Sequence, residues 1–107
     1  MALLAGGPVT VAIQIDIPGV TLEEYDEVVE IAGFLPGGPL PPGALFHWVA
    51  KTDDGVRIIN VWASQGEYDE FAERQTEIIK GVGVELSSIK VQFFEVHNYL
   101  SGTGRRG

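Results

Sequence analysis

The chain has no cysteine, which excludes disulfides, thiolate metal sites and cysteine nucleophiles. Basic residues are scarce too. Seven Lys and Arg stand against fifteen Asp and Glu, for a net charge of −8. Without a basic surface to replace counterions, nucleic acid is disfavoured as a partner, and so are anionic membranes. No apolar run approaches the roughly 20 residues that a membrane-spanning helix needs. Met1–Pro8 has no basic start and little apolar length, so it reads as a poor signal peptide, and the expected location is cytoplasmic. Histidine occurs only at His47 and His97. With no His-x-x-x-His or paired-carboxylate spacing, no metal site is expected. There is no phosphate loop: Gly37-Gly38 lies among prolines and opens no helix.

The length of 107 residues suits a single domain spanning 1–107, with 1–7 and 101–107 as flexible tails. The most informative pattern is a duplication. Glu-Tyr-Asp-Glu occurs at Glu24–Glu27 and again at Glu67–Glu70. Thr21 and Ser64 stand three residues before the first Glu of each copy, so both segments read as capping boxes that start a helix. In this reading Ser64 is a cap rather than a nucleophile. The apolar spacing predicts helices over about 22–32 and 66–80, with Tyr25 and Tyr68 turned inward. Gly81 or Gly83 can end the second helix in the left-handed conformation.

Strict alternation marks Val9–Ile17 as a strand, with Val11, Ile13, Ile15 and Ile17 on one face and Ala12, Gln14 and Asp16 on the other. Ala44–Lys51 and Val56–Ala63 flank a turn at Asp53-Asp54-Gly55 and read as a hairpin. Ile89–Leu100 reads as a last strand of about twelve residues, unusually long. Leu35–Gly43 holds four prolines and three glycines and must be a loop. The order β-α-β-β-α-β predicts an α+β, ferredoxin-like fold: a four-stranded antiparallel sheet, first and third strands central, both helices on one face. The strands carry too many apolar positions for one covered face. A homodimer joined sheet to sheet is the expected remedy.

Few polar side chains interrupt the strands. Asn60 shares a face with Val56, Ile58 and Trp62 and needs hydrogen-bond partners: a ligand oxygen, a neighbouring strand side chain or water. Trp62 can serve as core or as a platform for a ligand. The face of His47 depends on the hairpin. A two-residue Asp54-Gly55 turn pairs 53 with 56 and puts His47 beside Asn60 and Trp62. A three-residue loop pairs 52 with 56 and puts Trp48 there instead. The first register is favoured because it clusters the polar groups. Gln14 is the lone amide of the first strand and can reach Asn60 if their faces agree. His97 suits an interface or a pocket equally.

The segment Val61-Trp-Ala-Ser-Gln-Gly-Glu-Tyr-Asp-Glu-Phe71, together with Phe46-His-Trp48, Asp54-Gly55 and His97-Asn98-Tyr-Leu100, resembles dimeric α/β-barrel proteins of the antibiotic biosynthesis monooxygenase type. The resemblance spans about residues 9–100. It is specific for the fold and weak for chemistry. Haem-degrading members use an Asn on the first strand, a Trp ending the third and a His on the second helix. Here Trp62 matches, Gln14 stands in the first strand, and 66–80 holds no His, so haem degradation is disfavoured. The cofactor-free oxygenases of the group act on electron-rich aromatic polyketides. By that resemblance the expected function is a cofactor-free, monooxygenase-like enzyme for a small aromatic or polyketide-like molecule, with His47 and Asn60 catalytic and Trp62, Gln14, His97, Tyr25 and Trp48 binding substrate. A polyketide cyclase or isomerase would use the same base without oxygen. A non-catalytic binding or stress-associated dimer is the alternative. An open cavity beside Trp62 would favour the enzyme, and a filled core would favour the binder.

Overall fold

A computed structural model describes residues 9–100; the expected tails lie outside the described residues. The elements are β1 (Val11–Pro18), α1 (Leu22–Ala32), β2 (Ala44–Lys51), β3 (Gly55–Trp62), α2 (Gln65–Val82), a 3-10 turn (Leu86–Ser88) and β4 (Lys90–Glu95). They build one antiparallel sheet in the order β2-β3-β1-β4. β1 and β3 are central, as the ferredoxin-like reading requires.

The alternation of β1 divides the sheet into two faces. Ile13 sits opposite Asn60 and Phe93, and Ile15 opposite Ile58 and Val91. These residues look toward the helices. The core forms there in two clusters: Val11, Ile13, Trp62 and Tyr68 against Phe71 and Ala72, and Ile17, Val56 and Ile58 against Tyr25, Val49 and Val84. The other face carries Ala12, Gln14 and Asp16 beside Phe46, Trp48, Ile59 and Val61 of the hairpin and Phe94 of β4. Phe46, Trp48 and Phe94 are 40–49% exposed. On this face the Arg57 guanidinium donates to Asp16 at 2.7 Å and holds its carboxyl below the usual value.

Both helices start at the expected hydroxyls. Thr21 forms a complete box: its Oγ accepts from the Glu24 N–H, and the Glu24 carboxylate accepts from the Thr21 N–H, both at 3.0 Å. The second box is half made. Ser64 Oγ accepts from the Glu67 N–H at 3.3 Å, but the Glu67 carboxylate takes the Ser64 hydroxyl rather than its N–H. That carboxylate lies against Gly43, where a Cβ would collide with it, so the loop before β2 and the start of α2 meet at a glycine. Gly83 ends α2 with φ 99°.

Two strand expectations need correction. The last strand is six residues long, not twelve. The Val96 N–H still reaches Thr10 O at 2.9 Å, but β1 has then ended, and residues 97–100 have no neighbouring strand among the described residues to pair with. The hairpin adopts neither proposed register. Lys51 pairs with Val56 and His47 with Asn60. The two-residue connection is Asp53-Asp54, closed by the Thr52 N–H to Gly55 O at 2.8 Å and the Gly55 N–H to Thr52 Oγ at 3.1 Å. Neither aspartate has positive φ, so the type I′ turn is not formed. Gly55 is needed inside the strand instead, because a Cβ there would strike the Ile17 carbonyl.

Candidate active site

The true register differs from the favoured one by two residues. A two-residue shift preserves the face of every side chain, so His47 does share the helix-covered face with Asn60 and Trp62. The pairing sets His47 directly opposite Asn60. His47 Nδ1 and Asn60 Oδ1 are 2.5 Å apart, and His47 Nε2 lies 2.6 Å from the Tyr25 hydroxyl of α1. An amide oxygen only accepts, so this network assigns the proton to Nδ1. Nε2 then holds the lone pair and accepts the Tyr25 O–H. The result is a chain, Tyr25 to His47 to Asn60, running from helix to sheet.

Its members differ in exposure. Asn60 is the one buried polar residue of the described core, at 8% exposure. Its amide N–H groups have no hydrogen-bond partner among the described residues, which leaves two donors beside the imidazole. His47 is exposed and Tyr25 half-buried. Burial, aided by Asp26, raises the Tyr25 phenol above its ordinary value, so it stays protonated at neutral pH. Chemically, the arrangement is a tautomer-fixed imidazole whose basic nitrogen faces the helix side, with amide donors alongside. That is equipment for moving a proton and stabilising an anion.

The other expected residues are dispersed. Trp62 is 2% exposed and packed at 5.2 Å from Phe71 and 5.9 Å from Tyr68, ring to ring. Its indole N–H is buried without an acceptor. Gln14 faces the opposite side of the sheet from Asn60 and donates to Asp16 at 3.1 Å. Trp48 also lies on that open face, as the neighbour of His47 in the strand must. His97 follows β4, at the far edge of the sheet from β2, and is exposed. The pairing of Tyr25 with His47 was not foreseen. The inward stripe of α1 already held Tyr25, and only the distance between helix and sheet could show which strand residue its hydroxyl meets.

Two concavities among the described residues bear on the site. One, of ≈ 320 Å³, is lined by Val9, Val11, Gln65, Phe93, Phe94 and Glu95. The other, of ≈ 210 Å³, is polar and includes Asp16, Asp54, Arg57 and Lys90. Neither is lined by His47, Asn60 or Trp62. No cluster of three or more His, Asp or Glu among the described residues could hold a metal ion. No helix of the described residues is long and apolar enough to cross a membrane.

No protein-family model matches the chain, and no protein of curated function does either. Among solved structures it is similar to a monooxygenase from the gene ActVA-Orf6 of Streptomyces coelicolor, determined in complex with the ligand nanaomycin D. The match covers 90% of this chain and 94% of that one, with a TM-score of 0.51 and 18% sequence identity. At that identity the likeness speaks for the fold and leaves the chemistry to the residues. The chain has the βαββαβ, ferredoxin-like fold of that monooxygenase, which is the architecture that its resemblance to the antibiotic biosynthesis monooxygenase type led one to expect.

Proposed function

We propose that the protein is a cofactor-free, monooxygenase-like enzyme for a small aromatic or polyketide-like molecule. The observation that carries this reading is the hydrogen-bonded chain Tyr25–His47–Asn60 on the helix-covered face. The fold shared with a monooxygenase that binds nanaomycin D supports the substrate class. His47 Nε2 removes a proton from an acidic C–H or O–H of the substrate. Asn60 keeps the imidazole in the required tautomer through Oδ1, and its amide N–H groups stabilise the developing oxyanion. The electron-rich carbanion reacts with O₂ to give a peroxide anion, which regains the proton from His47. Loss of water from the hydroperoxide converts a CH₂ to C=O. One oxygen atom enters the product and the other leaves as water.

The open sheet face supports a homodimer as the working form, because Phe46, Trp48 and Phe94 present apolar surface there. Light scattering after size exclusion should report twice 11.6 kDa; a clean monomer at micromolar concentration would sink the dimer.

The decisive assay is oxygen uptake with anthrone- and quinol-like compounds, without added metal. His47→Gln and Asn60→Ala should each lower turnover about 100-fold, the scale of general-base and oxyanion effects. Unchanged turnover in both variants removes these roles. Turnover that consumes no oxygen points instead to a cyclase or isomerase using the same base. A second reading, a non-catalytic binding dimer, is favoured by the packed surroundings of Trp62. It predicts ligand binding and no turnover of any such compound.

A further inference from the structure

We infer that His47 Nε2 is a seat for a phenolic hydroxyl, occupied in this structure by the protein's own Tyr25, which a phenolic ligand displaces. This rests on the reading above for the location of the site and adds the ligand class and the internal competitor.

Three observations carry it. The Tyr25 hydroxyl meets Nε2 at 2.6 Å, with the two ring planes 16° from parallel and 6.2 Å between centroids. The contact uses only a hydroxyl on an aromatic ring, which an unhindered phenol also carries. The Tyr25 ring packs against the Ile17, Val56 and Ile58 cluster, so the seat has an apolar wall for an aromatic ring as well as an acceptor for its hydroxyl. Finally, the occupant is held lightly. Helix α1 has no fully buried residue. Its one side-chain hydrogen bond to the sheet among the described residues is the Tyr25–His47 contact itself.

The equivalent tyrosine of α2 shows what a purely structural position looks like. Tyr68 is 8% exposed and is closed in edge-on by Trp62 and Phe93. Tyr25 instead is only half-buried and meets the basic nitrogen itself. Displacement exchanges one phenol for another at the same nitrogen. The bond lost and the bond gained are alike, and the balance is set by the ring contacts of the incoming ligand.

The probe is p-cresol, the tyrosine side chain itself, with toluene as the ring lacking a hydroxyl. Nitrogen-15 NMR of His47 at pH 8 reads occupancy of Nε2. Tyr25→Ala vacates the seat. In that variant p-cresol should restore the hydrogen-bonded Nε2 shift and bind about tenfold tighter than toluene, and about tenfold tighter than it binds the wild type. Equal binding of p-cresol and toluene, or p-cresol binding that leaves the His47 signal unmoved, overturns the inference. Should Tyr25→Ala not fold, the wild-type titration decides. Excess p-cresol must shift the Tyr25 ring signals while His47 Nε2 stays hydrogen-bonded, and a silent Tyr25 overturns it. The outcome is separable from the oxygen-uptake assay. A phenol seat without turnover leaves a binding protein, and turnover dependent on His47 without p-cresol competition leaves an enzyme whose substrate approaches elsewhere.

Discussion

Tyr25 and Tyr68 hold the same place in their helices, the fourth residue after the cap, inside the same Glu-Tyr-Asp-Glu sequence. Both point toward the sheet, and burial raises both phenols. They differ in what lies beneath. Under α1 the sheet offers His47 backed by Asn60, and the tyrosine joins a polar chain open to solvent at His47. Under α2 it offers Trp62 and Phe93, and the tyrosine becomes part of a dry aromatic cluster. A duplicated helix start therefore does not duplicate a function. The strand residue met by the inward side chain decides between packing and chemistry.

Stability measurements can break that contrast. Trp62→Ala should cost about 3–5 kcal/mol in urea unfolding, as expected for a large aromatic removed from a core. His47→Ala should cost only about 1–2 kcal/mol, the scale of losing hydrogen bonds at an exposed residue. Comparable losses would mean that the half under α1 is packed as tightly as the other. The caps give a smaller and sharper comparison. Thr21→Ala, which dismantles a complete box, should cost about 1–2 kcal/mol, and Ser64→Ala about 1 kcal/mol or less. A reversed order would deny that the second box is the weaker one.

The smallest effect lies at high pH. Tyr25 and Tyr68 have folded values above their ordinary one near 10. Their contribution to stability is therefore fully present below about pH 10 and is lost as pH rises through the raised folded values. Phenolate absorbance should show two late-ionising tyrosines, one removed by Tyr25→Phe and one by Tyr68→Phe. If neither substitution removes a late transition, the burial assigned to that ring is wrong.

Much of the architecture could be read from alternation and capping. Val11, Ile13, Ile15 and Ile17 face the helices together, because side chains in a strand have a period of two whatever the tertiary context. The hairpin register could not be read the same way. Asp54-Gly55 is a strong turn signal, yet Gly55 is consumed by the close approach of the Ile17 carbonyl, a contact 38 residues away in sequence. The face of His47 survived that error only because the slip was even. Gln14 shows the opposite outcome. Its strand and its alternation were right, but its face depends on which side of β1 the helices cover, and that is decided by the whole sheet. Val96 to Leu100 looks strand-like in sequence, whereas the pairing of β4 stops when β1 runs out.

At the start of β2 the pairing skips a residue: Ala44 sits opposite Trp62 and Phe46 opposite Val61, with Leu45 left over. This bulge lets Ala44 and His47, three positions apart, serve the same side of the sheet. It acts as a phase adjuster between the proline-rich segment and the strand. A one-residue change of length within 35–42 can be absorbed before Phe46 while His47 keeps its aim, but Gly43 has to stay, held by its positive φ and by Glu67. Removing Leu45 itself simply takes out the bulge: Ala44 and His47 become two positions apart and stay opposite Trp62 and Asn60, on one face by plain alternation. The slack is then spent, and a further single deletion between Ala44 and His47 would turn the imidazole to the open face, away from both Asn60 and Tyr25.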